Sequence, residues 1–498
     1  MPIALILEMA ADTYGERVAL TADGRTLTYG GVRRAAAGGA RLIIESGAQS
    51  LVFVGLNGPV VPCLLFSAGL AGVPLTPLNY RLSPDQLADQ IAELPNPLIV
   101  VDHTYVDTVR PVLPSVITTD EWIANSLGAD PLDEHPVNDD KAAVILFTSG
   151  TTSKPKGVVL KHEHLVNYVL QTVEFASAPE DSAALVSVPP YHIAGMGTVL
   201  TNIYAGRRMA YLPNFTGRGW LDLVRSENVS NAMLVPTMLA RILDELGDTI
   251  ADTPSLRALA YGGARMPRPV LERALRQFPD VDFVNAYGLT ETSSTVAVLG
   301  PEDHRRAFTG DPVARRRLDS VGRLVPGVEG IIRGPGGTTL ATGEVGELWV
   351  RGPQVSGTYV GIGSVLDVDG WFPTKDRASL DPDGYLFIEG RSDDTIIRGG
   401  ENISPSEIEV VLVEHPSVSD VAVFGADDDE WGERIVAVVV VTGVGESPSA
   451  EGLRQYVRQQ LRGSRTPDDV VFAESLPYTA TGKLLRNKLK TGYTGTTV

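Results

Sequence analysis

Short apolar runs alternate with helix-period segments through the first half of this 498-residue chain, and that rhythm restricts the fold more than any other feature. Leu51–Gly55, Pro74–Leu78 and Leu98–Val101 read as buried strands, while Val60–Gly72 and Ser83–Ala92 between them are helical in length and pattern. Such alternation predicts an α/β class of layered domain with mostly parallel strands. A second round runs from Ala183 to Val284. After Gly310 the style changes: Gly330–Gly334, Gly346–Gly352 and Gln354–Val360 are short, strand-like and mostly bounded by glycine, which predicts a small β-rich subdomain. From Thr395 the chain restarts with a strand, Pro405, a helical run to Glu414, strands at Val421–Phe424 and Ile435–Val441, and a helix at Ala450–Leu461. That is a compact α+β unit of about 100 residues, large enough to fold alone.

The segment Phe147–Val158 (FTSGTTSKPKGV) follows the apolar run Ala142–Phe147. Its small residues let backbone N–H groups approach a polyphosphate, its hydroxyls add donors, and Lys156 supplies a point charge. The Gly-Lys-Ser/Thr ending of a Walker loop is absent, and Pro155 forbids an immediate helix start. The reading is a phosphate clamp between two strands; an ordinary polar turn uses the same residue types. A second segment, Asn285–Thr292 (NAYGLTET), sets Tyr287 where it can stack on a base. In it Gly288 permits close approach, Thr290 offers a hydroxyl to a phosphate, and Glu291 is a hard oxygen ligand suited to Mg²⁺. Thr374-Lys375-Asp376, Gly390 to Asp394, Gly399 to Glu407 and Thr481-Gly482-Lys483 are each weak alone, but their order along one chain is specific.

These segments, from Leu27-Thr28-Tyr29 to Lys483, identify the chain as resembling the adenylate-forming superfamily of acyl-CoA synthetases, luciferases and peptide-synthetase adenylation domains. Within it, the chain is similar to the bacterial amide-bond synthetases. The resemblance implies a large multi-subdomain N-terminal domain, residues 1–392, binding acid and ATP. It implies a small mobile C-terminal domain, residues 393–498, hinged at Asp393. By resemblance Thr148, Ser149, Gly150, Thr151, Thr152 and Lys156 cradle the β,γ-phosphates. Gly262, Gly263, Ala264 and Tyr287 sandwich adenine, with Asn285 and Gly288 in the same nucleotide-binding set. Thr290 touches the α-phosphate, Glu291 holds Mg²⁺, and Asp376 with Arg391 binds the ribose hydroxyls. Lys483 reaches in from the small domain to bridge the substrate carboxylate and the α-phosphate. The acyl pocket is expected from Tyr191, His192, Gly195, Pro236, Ala286 and Leu289, with Thr201 and Asn202 towards its mouth. Small residues there leave room for a flat or bulky acid, favouring an aromatic carboxylate over acetate. Taken singly, His192 also reads as a satisfied core histidine, and Lys483 as a solvated surface lysine.

Some positions depart from the family pattern. Ser153 and Lys375 stand where glycine is usual, and Lys375 puts a bulky cation next to Asp376 in sequence. Asp393-Asp394 replaces the Lys-Asp common in acyl-CoA synthetases. Arg398, before Gly399-Gly400, is read either as a binder of a CoA phosphate or as an obstruction of a pantetheine tunnel. The expected activity is ATP- and Mg²⁺-dependent adenylation of an aromatic or heteroaromatic acid with transfer to an amine; the alternative is an acyl-CoA ligase.

Composition narrows the partners. A net charge of −19 argues against general nucleic-acid binding and fits either an acidic surface or weak attraction of a cationic amine. The lone Cys63 excludes a disulfide framework and reads as a small core residue. No secretory signal is legible, and no apolar run approaches the roughly 20 residues that span a bilayer. A cytoplasmic enzyme without membrane contact or a following carrier-protein module is expected.

Overall fold

The computed structural model describes all residues but 23, 114, 133–136, 149–154, 392–393, 399–400, 429–430, 443–447, 462, 480–483 and 496–498. The alternation of strand and helix becomes two large sheets. In the first, Ala142–Thr148, Leu75–Leu78, Ser50–Val54, Pro97–Val101 and Ile117–Thr118 lie side by side and parallel. Ser50–Val54 and Leu75–Leu78 are buried along their whole length, as strands covered on both faces must be. The crossover helix Val60–Ala71 is apolar nearly all round and carries Cys63, which is buried. It packs closely on the helix Tyr29–Ser46, because Gly39 faces Ser67 where a Cβ would collide.

The second sheet is built from Asp282–Leu289, Ala258–Gly262, Asn231–Leu234, Ala183–Val186, Arg208–Tyr211 and Val18–Ala22, all parallel, with antiparallel strands at both edges. Four helices, Ile193–Ala205, Gly217–Ser226, Pro236–Leu246 and Arg268–Gln277, make the crossovers. The expected second round is therefore present element by element.

The β-rich subdomain is a four-stranded antiparallel sheet of Glu329–Arg333, Gly346–Arg351, Phe372–Leu380 and Leu386–Arg391. One expectation is corrected. Gln354–Val360 is no strand of this sheet; only Thr358–Tyr359 is extended, and it pairs through Tyr359 with Val158 on the first large sheet. The reason is polar. Gln354 donates to the carbonyls of Thr292 and Thr295 at 2.9 Å each, and the Ser356 hydroxyl donates to Val159 O, so the segment is pulled across to stitch two sheets together.

Beyond residue 394 the strands Ile396–Arg398, Glu401–Ile403, Val418–Asp428, Gly432–Val441 and Asp469–Phe472 form a separate sheet. Its own core includes Ile396, Ile408, Leu412, Val423, Ile435 and Leu453. Against the preceding unit, the Ser404 hydroxyl donates to Glu389 O at 2.6 Å. Among the described residues no helix is long and apolar enough to cross a membrane.

Three histidines are held neutral inside this framework. Burial lowers His162, His164 and His192 from 6.5 to about 4, and Nδ1 of His162 accepts from Ile3 N at 3.2 Å. The unfolded chain takes up these protons near 6.5 and the folded chain only near 4, so the stability they contribute is full above 6.5 and falls between those values. The melting temperature is therefore expected to drop as the pH falls from 6.5 to 4, and His162→Gln should flatten part of that drop. A melting temperature constant over this range would contradict the assignment.

Candidate functional site

The strands flanking the hydroxyl-rich loop are antiparallel neighbours, with Thr148 opposite Lys156 and the Thr148 hydroxyl 3.4 Å from Lys156 O. Ser149, Gly150, Thr151, Thr152 and Ser153, the loop's tip, lie outside the described residues. Both walls are thus fixed by the sheet, and Lys156 begins the strand Lys156–Lys161.

The segment from Asn285 to Leu289 is the end of a strand, Asp282–Leu289, followed by a single 3₁₀ turn, Thr290–Thr292. The chain then reverses tightly against itself. A Cβ on Gly288 would stand 1.7 Å from Ser294 O, so only glycine lets the hairpin close. Ser293 and Ser294 take φ of 56° and 111°, the left-handed backbone that non-glycine residues rarely adopt and that gathers at functional turns. Glu291 projects from this turn and is held from two sides. Its Oε1 accepts from the Tyr359 hydroxyl at 2.9 Å, and its carbonyl accepts from Ser356 N at 2.8 Å. Because Val360 N also donates to Gly157 O at 2.8 Å, this acidic turn sits against the strand that follows the hydroxyl-rich loop. Tyr359 had no motif to announce it; its only sequence signal is an aromatic in a strand-like run.

Asp376 is buried, 5% exposed, and opposes Arg391 directly across two strands. Arg391 Nη1 is 3.6 Å from Oδ1, and the Tyr287 hydroxyl donates to Oδ2 at 2.5 Å. Burial and this carboxylate both push the Tyr287 phenol upward, so it remains a donor. A bulge aims Asp376 inward: the Thr374 hydroxyl donates to Leu348 O at 2.7 Å and accepts from Asp376 N at 3.1 Å. Lys375, at the bulge, has φ of 61°, which explains why glycine suits this position. Its side chain is exposed while that of Asp376 is buried. Lys375→Gly is expected to raise stability by up to about 1 kcal/mol, the left-handed strain less the added freedom of an unfolded glycine, measured by urea unfolding. A clear loss would mean that contacts of the lysine side chain outweigh the strain.

Gly262 ends the strand Ala258–Gly262, paired with Ala286, and Gly263 turns out of it with φ of 80°. Pro236, likewise, starts the helix after Asn231–Leu234, and Tyr191 and His192 follow Ala183–Val186 before the helix Ile193–Ala205. These residues therefore gather at the carboxyl ends of parallel strands, where open α/β sheets bind ligands. The rings of Tyr191 and His192 are 4.4 Å apart, and Tyr80 packs edge-on to Tyr191 at 5.7 Å. The Tyr191 hydroxyl and His192 Nε2 are buried without a hydrogen-bond partner among the described residues. A Cβ on Gly195 would meet Pro189 O at 2.6 Å, so this helix starts tightly against the preceding turn.

Other expected residues have partners of their own in the fold. The Thr201 hydroxyl donates to Gly197 O at 2.8 Å, and Asn202 is engaged by Thr198 O and by Arg207. The Asn285 amide reaches Ser320 O at 3.4 Å, and Leu289 packs against the core of the β-rich subdomain. Arg398 is held within the small unit: Nη2 donates to Asp468 at 2.7 Å, and the guanidinium lies over the Trp431 ring at 5.0 Å. Asp393 and Lys483 lie outside the described residues. No group of three or more His, Cys, Asp or Glu is clustered for a metal among the described residues.

The family model for AMP-binding enzymes matches residues 7–360, and that for the AMP-binding enzyme C-terminal domain matches residues 407–483. The chain is 32% identical to the fatty acid–[acyl-carrier-protein] ligase ScoC of Streptomyces coeruleorubidus, over 96% of this chain and 93% of that one. It superimposes with a TM-score of 0.87 on the amide bond synthetase McbA from Marinactinospora thermotolerans, at 27% identity, covering 99% of this chain and 100% of that one. For the o-succinylbenzoate coenzyme A synthetase MenE from Bacillus subtilis, in complex with ATP and magnesium, the TM-score is 0.84 at 26% identity, covering 98% and 99%.

Proposed function

The chain belongs to the AMP-binding, adenylate-forming enzyme family, and on that premise we propose that it adenylates an aromatic or heteroaromatic carboxylic acid with ATP and passes the acyl group to an amine. The observation that carries this reading is the convergence of Tyr287, Asp376 and Arg391 beside the Glu291 turn, which itself abuts the strand leaving the phosphate loop.

A carboxylate is a poor electrophile because its two oxygens share a charge. Attack of one oxygen on the α-phosphorus of ATP forms acyl-AMP and expels pyrophosphate. Two anions must be brought together in line, a task of positioning and electrostatics. Thr148 to Thr152 with Lys156 would hold the β,γ-phosphates and Thr290 the α-phosphate. Gly262, Gly263, Ala264 and Tyr287 would enclose adenine, with Asn285 and Gly288 beside them. Asp376 and Arg391 would take the ribose hydroxyls, and the Asp376 carboxylate, fixed from one side by Tyr287, is a good acceptor for a diol. Magnesium normally takes one or two carboxylates plus phosphate oxygens, so the single Glu291 fits a cation that arrives with the nucleotide. Lys483, carried by the C-terminal domain that begins at the Asp393 hinge, would neutralise charge shared by the carboxylate and the α-phosphate.

In the second half-reaction a neutral amine attacks the anhydride carbonyl, AMP leaves, and the amine gives up a proton. His192, kept neutral by burial, would border the acyl group with Tyr191, Gly195, Pro236, Ala286 and Leu289. The full-length likeness to an amide bond synthetase supports the amine acceptor. A second reading, thioester formation with CoA, draws on the likeness to a coenzyme A synthetase. Acid choice is tested by pyrophosphate release with ATP, Mg²⁺ and a panel of acids. Aryl and heteroaryl acids should turn over well above acetate; a preference for acetate or for long alkyl acids would contradict the proposed pocket.

A further inference from the structure

We propose that Arg486 is a positioning residue for adenylation: it clamps the chain just beyond Lys483 to the residue just beyond the hinge, so that the lysine is presented from a rigid base. This rests on the reading of Lys483 and Asp393 given above. Arg486 begins the last helix, Arg486–Gly492, three positions after Lys483. Its guanidinium binds three separate segments. Nη2 donates to both carboxylate oxygens of Glu409 at 2.6 and 2.7 Å, Nη1 to Asp394 at 3.1 Å, and Nε to Val423 O at 3.1 Å. Glu409 lies on the helix Pro405–Val413 and also accepts from Val423 N at 2.8 Å. Asp394 immediately follows Asp393 in sequence.

The described residues on either side of Lys483 in sequence are tied to one another and to the domain. Tyr478 pairs with Leu484 as an isolated antiparallel bridge, Leu485 N donates to Pro477 O at 2.9 Å, and the Tyr478 hydroxyl donates to Asp420 at 2.9 Å. Arg486 then joins this base to the hinge side of the domain. The side chains of Arg486 and Glu409 are only 20% and 17% exposed, and the planar guanidinium sends a different nitrogen to each of Glu409, Asp394 and Val423 O, a spread that a lysine ammonium, with one nitrogen, cannot match. The domain's apolar core, around Ile408, Leu412 and Val439, is made without the Asp394 contact. Loss of that contact should therefore loosen presentation of Lys483 more than it loosens the fold.

The two half-reactions separate these effects, because on this reading Lys483 acts in acyl-AMP formation and not in transfer from preformed acyl-AMP. Arg486→Gln, Arg486→Lys and Asp394→Asn are assayed for acid-dependent pyrophosphate release and, separately, for amide formation from supplied acyl-AMP, with melting temperatures recorded. Arg486→Gln should slow adenylation about ten- to a hundredfold while transfer stays within roughly twofold, the scale of loss when a reacting group is displaced by about an ångström. The KM values for ATP and acid should hold, Arg486→Lys should fall in between, and Asp394→Asn should give the same selectivity more weakly. A parallel fall of both half-reactions, or no fall in either, overturns the proposal. If Arg486→Gln does not fold, Asp394→Asn, which keeps the Glu409 contact, decides in the same terms. Lys483→Ala run alongside separates the two ideas: should it keep adenylation, the reading of Lys483 fails whatever Arg486 does.

Discussion

Lys483→Ala is expected to lose nearly all acid-dependent pyrophosphate release while still binding ATP. When the carboxylate approaches the α-phosphate, two negative groups meet and charge accumulates on the oxygens between them. An ammonium aimed at that place stabilises the transition state more than either ground state, an effect typically worth on the order of 10²–10³ in rate. ATP affinity should change little, because the phosphate loop, the Glu291 turn and the Asp376 pair all lie elsewhere in the chain. The check is pyrophosphate release at saturating acid, paired with a direct ATP-binding titration. Near-normal release would remove Lys483 from the reaction.

Asp376→Ala should act in the opposite manner, on nucleotide affinity rather than on acid choice. A ribose diol hydrogen-bonded to a charged acceptor contributes about 1.5–3 kcal/mol per bond, so ATP binding should weaken by about ten- to a hundredfold or more. Two local consequences add to this. The Tyr287 hydroxyl loses its acceptor at 2.5 Å, and Arg391 loses the carboxylate across the sheet. Tyr287→Phe, which removes only the donor, should weaken ATP far less. The ranking of acids should hold in both variants, since Asp376 is on the β-rich subdomain while Tyr191 and His192 sit at the mouth of the second large sheet. A changed acid ranking with normal ATP affinity would contradict the ribose assignment.

Much of this site was legible in the sequence because its residues lie in short contiguous segments whose local structure follows from their composition. Asn285 to Thr292 combines a strand end with a glycine that only a tight reversal needs, and the structure has both. Lys375 was visible as a residue out of place, and its positive φ supplies the reason. What stayed hidden depends on contacts between distant segments. Tyr359 reaches Glu291 only because Gln354 and Ser356 draw their segment away from the β-rich sheet, and no local pattern encodes that choice of neighbour. Arg486 likewise looks like one arginine among many until Glu409 and Asp394 close around it. The side-chain partners of Thr201 and Asn202, the carbonyls of Gly197 and Thr198 one helical turn back, were likewise not singled out in the sequence.

The acceptor is where the central claim is most exposed. An amine attacks only when neutral, so amide formation should accelerate as the pH rises towards the amine's pKa, whereas a thiol with a pKa near 8.5 would respond at lower pH. The decisive measurement is a mass-spectrometric product survey with ATP, Mg²⁺, an aromatic acid and an amine, with and without CoA. Amide is expected without CoA, faster than free acyl-AMP reacts with the same amine in solution. Amide at no more than that solution rate, with rapid thioester once CoA is added, would contradict the amide-forming reading and leave a CoA ligase in its place.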